Sequence, residues 1–391
     1  MFKKIRIAII IISLGICAGL AVHYLLNKET GILVKQPLVV TIPEEGIKTD
    51  AFGIRLLQAA MKQEPGESVL VAPALTGEAL LQLRELAADS TRQDIDKLGI
   101  VFPEKQHTAQ PLYNVVTAAD YGLHYTESVE SESVIRLPFR ADRPLAMSLF
   151  NGMLAEGIQE MTGPIISSKL LIGNTKFIIG GCCEFIPEFE PFFRSEHTIA
   201  AEFENANGSL PQVNMMRLRA NVRYVKDDTG EWEAVALMLA PTASRKGEPT
   251  VWIGILPIKQ AAAMATQLDM QQLHSIRKKL AEATPVDCCV SLPRLFWAPP
   301  ARNLQPLLEE LGLGSLFTES KKWKFTDSKL KLDAMPEKIS ISFIPRPGDN
   351  APSARPENAP ASISFNRPFI WLISDLTTAA PPYFIGLVQN L

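Results

Sequence analysis

The chain has 391 residues, enough for one large domain or two ordinary ones. It is 47% apolar and 21% charged, a composition of folded rather than disordered proteins. Its 39 Lys and Arg against 42 Asp and Glu leave a net charge of −3, without the basic excess of a dedicated nucleic-acid binder, and five cysteines are too few for a disulfide scaffold.

Lys3, Lys4 and Arg6 precede a nearly unbroken apolar run from Ile7 to Val22; His23 interrupts it, and Tyr24, Leu25 and Leu26 extend it. A basic flank followed by such a run reads as a signal peptide or an N-terminal membrane anchor over residues 1–26. Gly19 and Ala21 fit a small-x-small cleavage rule; Cys17 raises a lipidated cysteine, which Ile16 before it suits poorly. Each reading exports the rest of the chain, to an extracellular or periplasmic space, either secreted or membrane-anchored. Residues 27–48 read as a polar tether.

From Thr49, Phe52, Leu56, Leu57, Ala60 and Met61 fall at helical spacing, and Pro65-Gly66 stops the helix. Ser68–Val71 reads as a short strand, Leu80 to Leu86 as a helix, and Thr91–Leu98 as another. Residues 103–133 are ambiguous, and Leu145–Met161 is helical. Strand patterns then dominate: Phe177–Cys183, Gln212–Met216, Val222–Val225, Ala234–Leu239 and Val251–Leu256. Gln260–Glu282 is helical in composition, and Leu304, Leu307, Leu308 and Leu311 form a helix face stopped by Gly312. In Lys338–Ile344, Ile339, Ile341 and Phe343 alternate with Ser340 and Ser342, the pattern of a half-buried strand. Phe369–Ile373 and Tyr383–Val388 are two more strands. Helices first and strands later is α+β rather than doubly wound.

Catalytic motifs are absent: no HExxH, GxSxG, P-loop or GxGxxG occurs, although a triad assembled from distant residues needs no motif. Cys182-Cys183 and Cys288-Cys289 are vicinal pairs in strand-like text. Neighbouring side chains there point to opposite faces, so buried thiols fit better than a four-thiolate metal site; a disulfide between the pairs stays open. Asn207-Gly-Ser209 is a glycosylation sequon in a host with that machinery.

Several spaced segments carry a resemblance. Phe52 to Pro73 pairs a first helix with a short strand and an Ala72-Pro73 turn, and Ala88–Ile95 opens the next helix. Phe139, Ala146, Phe150-Asn151 and Thr162-Gly163 precede the long strand Phe177–Phe185. Then follow Pro191-Phe192, Thr198, Phe203, Gly208, Val213 and Met215-Met216, Leu292-Pro293 with Leu308 and Leu311-Gly312, and Phe365-Asn-Arg-Pro-Phe369 through Asp375 and Phe384-Ile-Gly386. In this order they resemble the serpin superfamily over residues 49–391, as a divergent member in which 103–133 looks shortened. The resemblance implies one α+β domain with a large central, mostly antiparallel sheet, further sheets, a cluster of helices and an exposed reactive-centre-like loop at 345–364. It implies inhibition of a serine or cysteine protease, the loop being cleaved and then inserted into the main sheet. The expectation is a monomer that is not an enzyme, with no cofactor or metal, no nucleic-acid partner, and a membrane contact through the N-terminal segment.

The loop itself is unusual. With Gly348 as hinge, Asp349, Arg355 and Glu357 would face inward on insertion, each costing up to several kcal/mol if unpaired. In either register Pro352 and Pro356 lack an N–H, which leaves acceptors unsatisfied at about 1–3 kcal/mol each. Counting forward from Gly348 places the scissile residue near Ser362; counting back from Phe365 places it near Glu357, so the loop is short. Arg355 suits a trypsin-like enzyme, but Pro356 after it hinders cleavage. The family's polar gate beneath the sheet is replaced by Ala72, Leu75, Gly180 and Glu337. Two functions follow: a binding module whose loop does not insert efficiently, and an active inhibitor.

Overall fold

A computed structural model describes residues 44–100, 113–119, 123–126, 134–155, 174–240, 250–348, 359–375 and 382–391. In chain order its helices are α1 (Glu44–Gln63), α2 (Pro73–Leu86), α3 (Asp89–Asp96), α4 (Arg143–Ala155), α5 (Ala261–Gln267), α6 (Met270–Glu282), α7 (Gln305–Glu310) and α8 (Ser315–Thr318). The strands are β1 (Val69–Val71), β2 (Tyr113–Ala119), β3 (Ile135–Leu137), β4 (Phe177–Phe185), β5 (Ile199–Glu202), β6 (Gln212–Lys226), β7 (Trp232–Met238), β8 (Thr250–Pro257) and β9 (Val286–Pro293). They continue with β10 (Leu295–Trp297), β11 (Arg302–Asn303), β12 (Lys321–Trp323), β13 (Thr326–Leu330), β14 (Pro336–Phe343), β15 (Ala361–Ser364), β16 (Phe369–Asp375) and β17 (Phe384–Val388).

Local chemistry accounts for these elements. Phe52, Leu56, Leu57 and Ala60 bury one face of α1, and Gly66, at φ +84°, supplies the left-handed turn that ends the segment. Pro73 opens α2, where its missing N–H costs nothing. Gln260–Glu282 divides into two helices, because Asp269 starts the second with a capping box to Gln272. Gln212–Met216 and Val222–Val225 are the ends of one strand: the intervening Arg217 and Arg219 face outward while the backbone pairs through, Met215–Val222 with β9 and Arg223–Lys226 with β7.

Among the described residues two large sheets form the body, beside the two-stranded sheet of β12 and β13. One is nine-stranded, in the order β1-β17-β16-β8-β7-β6-β9-β15 with β5 also on β6; the other has six strands, β10-β14-β4-β2-β3 with β11 on β14. Within the second, β14 and β4 run parallel, as do β2 and β3; the rest is antiparallel. Three cores hold the layers. Helices α1, α2, α6 and α7 pack in the largest; aromatic residues of both sheets meet in the second; α4 lies on the six-stranded sheet through Ala146, Met147, Phe150 and Leu154 in the third. Among the described residues no helix is long and apolar enough to cross a membrane; the apolar run at 7–26 lies outside them.

Candidate functional site

The loop between the sheets leaves β14 at Phe343 and returns at Ala361, the start of β15. Asp349, Pro352, Arg355, Pro356 and Glu357 lie outside the described residues; Gly348 and Ser362 lie within them. Ser362 is a strand residue, exposed and paired with Cys289 of β9 in a parallel register.

The root of the loop is fastened to the segment that follows β4. Arg346 N–H donates to Phe193 O at 2.8 Å and Ser195 N–H donates to Arg346 O at 2.8 Å, a parallel bridge between Arg194 and Arg346. The Arg346 guanidinium forms an ion pair with Glu188. Glu188 is fixed in turn, its carbonyl accepting Ala240 N–H at 2.7 Å, while Phe189 bridges Leu239. Gly348 lies against the carboxylate of Glu196, whose exposed, flexible side chain would have to swing aside for any Cβ at this position. Glu196 is held below the usual carboxylate range by its own backbone N–H, then by Arg194 and by the Gly348 N–H. The exposed Arg346–Glu188 pair contributes at most about 1 kcal/mol; the two backbone bonds set the geometry.

Beneath the root, β14 and β4 are zipped directly. Their register runs Glu337↔Gly181, Lys338↔Cys182, Ile339↔Cys183, Ser340↔Glu184 and Ile341↔Phe185, so no strand stands between them. The first turn of α2 ties both flanks of this seam. Thr76 Oγ1 donates to Glu337 Oε2 at 2.9 Å on the β14 side, and Asn114 Nδ2 of β2, the neighbour of β4, donates to Leu75 O at 3.3 Å on the other. Arg302 Nη2 of β11 donates to Glu337 Oε1 at 3.0 Å. The Glu337 side chain is 1% exposed and Arg302's 19%, so the gate position expected at Glu337 holds a buried, twofold-bonded carboxylate. Of the other expected replacements, Ala72 and Leu75 are apolar members of the core between the sheets, and Gly180 is a buried residue of β4 opposite Val115 of β2.

Both feet of the loop rest on one indole. Trp252 of β8 meets Phe343 at 6.2 Å and Phe365 at 5.3 Å between ring centroids, edge-on in both cases. Of the cysteines, Cys182 faces α4, with its thiol donating to Leu154 O, whereas Cys183 and Cys288 lie between the sheets. All four in the two pairs are free thiols. Burial pushes Cys182 up to about 12 and Cys288 up to about 11, which keeps both protonated.

Glu78, two residues along α2 from Thr76, has its carboxyl pushed up to about 7 by burial. The folded chain therefore keeps this proton from the ordinary value of 4.5 up to about 7, where the unfolded chain has lost it. Stability falls as pH rises through that window. Thermal midpoints measured from pH 4.5 to 7 should decline less steeply in Glu78→Gln than in the parent; parallel profiles would remove Glu78 as the source.

The anchors Glu188 and Glu196, the tie Thr76–Glu337–Arg302 and the bracket Trp252 were not legible as a site. Each pairs residues far apart in sequence and carries no local motif; the sequence marks only the glycine at 348 and the glutamate at 337.

A family model described as Serpin (serine protease inhibitor) matches residues 117–391. A comparison with curated proteins finds no match. Among solved structures, the chain is similar to uncleaved ovalbumin, with a TM-score of 0.75 at 15% identity, over 89% of this chain and 100% of that one. A tumour suppressing serpin matches with a TM-score of 0.74 at 15% identity, over 89% and 99%. Serpin-12 of Manduca sexta matches with a TM-score of 0.72 at 17% identity, over 88% and 98%.

Proposed function

The chain belongs to the serpin family, and from that premise we propose that it is an exported member that presents its loop as a binding surface and does not trap proteases by inserting it. The observation that carries this reading is the fastened root, with Arg346 bonded in register to Phe193 and Ser195 and Gly348 set against Glu196. Insertion would have to release that bridge and part β14 from β4 along the register Glu337–Ile341. Parting the seam also strains the α2 ties, of which the Thr76 bond to a charged acceptor is worth about 1.5–3 kcal/mol. The entering strand would then bring Pro352 and Pro356, which have no N–H to give either neighbour. Export is supported by the basic-flanked apolar run at 1–26.

A second reading, an inhibitor of serine or cysteine proteases, is favoured by the parallel β14–β4 pair: a strand antiparallel to both would satisfy both edges if they parted. One experiment decides. Cleave the loop of the purified full-length protein, verify the cut by mass, and record thermal unfolding. The expected shift is no more than about 3 °C, equivalent to roughly 2 kcal/mol for a domain of this size. A sharp rise in the midpoint, or an SDS-stable complex with any serine or cysteine protease, would establish the second reading instead.

A further inference from the structure

Residues 321–331 carry five lysines and one aspartate, a local charge of +4 in a chain whose net charge is −3. They fold as the two-stranded sheet of β12 and β13, with Trp323 opposite Thr326 and Lys321 opposite Leu330. The faces are segregated: Trp323, Phe325 and Leu330 are buried, whereas Lys322, Lys324, Lys329 and Lys331 are exposed. The inner face is seated firmly. Trp323 and Phe325 pack on Phe177 of β4 at 4.7 and 5.1 Å, Trp323 Nε1 donates to Leu330 O at 2.7 Å, and the backbone of Lys322 and Lys324 bonds to Ala88 and Leu86.

The lysines divide by what they meet. Lys321 is neutralised by Asp94 and Glu319, Lys331 lies 4.0 Å from Asp333, and Lys324 Nζ donates to Glu85 O. Among the described residues Lys322 and Lys329 form no ion pair. Asp327 is the one acid on the hairpin itself. Lys97, on the neighbouring turn after α3, adds a cation that is 75% exposed, although Asp94 lies 2.8 Å from it. Lysines two residues apart on a strand stand about 7 Å from one another, so the outer face is an array of spaced point charges. It offers no exposed aromatic ring for stacking and no arginine fork for bidentate contacts, the devices that nucleic-acid readers use. A planar anionic surface complements it better than a strand that must be gripped.

We propose that the outer face of this hairpin is a contact surface for an anionic phospholipid bilayer. The surface is built independently of the loop, so it holds or fails separately from the function proposed above. Each lysine near such a surface raises partition by about fivefold, an effect that salt screens within about 10 Å at 0.1 M. The apolar run at 7–26 is the sequence's own candidate for bringing the body to a membrane, which is why the test must separate headgroup charge from simple attachment.

The full-length protein is mixed with phosphatidylcholine vesicles, or with vesicles that also hold about 30% phosphatidylserine, and its lysines are labelled with an amine-reactive reagent and read by peptide mass spectrometry. Lys322 and Lys329 should be protected at least threefold in the anionic vesicles alone, with protection lost at high salt, while Lys62, Lys226 and Lys278 stay fully labelled. Those three are 67%, 65% and 60% exposed elsewhere on the protein. The double variant Lys322→Glu/Lys329→Glu should keep the parent's melting temperature and lose at least tenfold of the added partition that phosphatidylserine confers. Equal labelling in the two kinds of vesicle would overturn the proposal, as would undiminished partition of the double variant. Protection by a soluble polyanion with none by the vesicles would also overturn it and make the face a polyanion site.

Discussion

Replacing Glu337 by alanine should destabilise the protein by about 3–5 kcal/mol, one of the largest losses available to a single substitution away from the aromatic core. The carboxylate is almost wholly buried, and its two oxygens answer two different elements, Thr76 of α2 and Arg302 of β11. Its removal leaves the Arg302 guanidinium, 19% exposed, without its counter-charge, and among the described residues Arg302 Nε already lacks an acceptor. A buried cation that has lost its partner retains the full penalty of desolvation, which is why breaking such a pair costs more than the pair itself contributes. The contrast variant follows from the same argument. Thr76→Val, Glu337→Leu and Arg302→Met together remove every charge and every orphaned donor, so the triple variant should lie far closer to the parent than Glu337→Ala does. Urea unfolding reads both: the midpoint should fall for Glu337→Ala with its slope unchanged, and recover in the triple variant. Equal losses in the two would mean that packing, not charge, holds this corner.

This tie illustrates what the sequence could and could not disclose. The β14 strand was legible from its alternation, because Ile339, Ile341 and Phe343 reach the core between the sheets while Ser340 and Ser342 do not. Helix α1 was legible from its apolar spacing and from the turn at Gly66. Strands β10, β11 and β15 were not, since each has four residues or fewer and is defined by its neighbour rather than by any period of its own. The continuity of β6 was hidden by its outward arginines, Arg219 paired across the strands with Asp287 at 2.6 Å, which read as a break although the backbone carries on. The hairpin of β12 and β13 is hidden for the opposite reason: its lysines resemble an ordinary solvated stretch, and only the burial of Trp323 and Phe325 places them on one face. Even the expected gate position at 337 revealed only a residue; its partners come from a helix and a short strand at distant points of the chain. Alternation and helical spacing are local properties, whereas a tie or a clamp is a statement about which distant elements meet.

Trp252→Ala should cost about 3–5 kcal/mol and should loosen both ends of the loop at once. The indole is fully buried in β8, and its neighbours are the last residue of β14, Phe343, and the first residue after β15, Phe365, with Phe189 at 6.3 Å completing the contact. Phe189 adjoins Glu188, the residue that holds Arg346, so the cavity would open under the loop's root as well as under its return. The expected sign is therefore a lower melting temperature together with faster proteolysis between residues 344 and 360, not one without the other. Among the described residues Trp252 Nε1 finds no acceptor, so the ring contributes by area and edge-to-face contact rather than by hydrogen bonding. Trp252→Phe, which keeps an aromatic ring and deletes an unsatisfied donor, should retain most of the stability and the parent's resistance to protease. A double-mutant cycle between Trp252→Ala and Phe365→Ala should show a coupling of about 1 kcal/mol. If the coupling were zero while both single variants unfolded early, Trp252 would fill space without joining the two feet, and the loop's root and its return would be held independently.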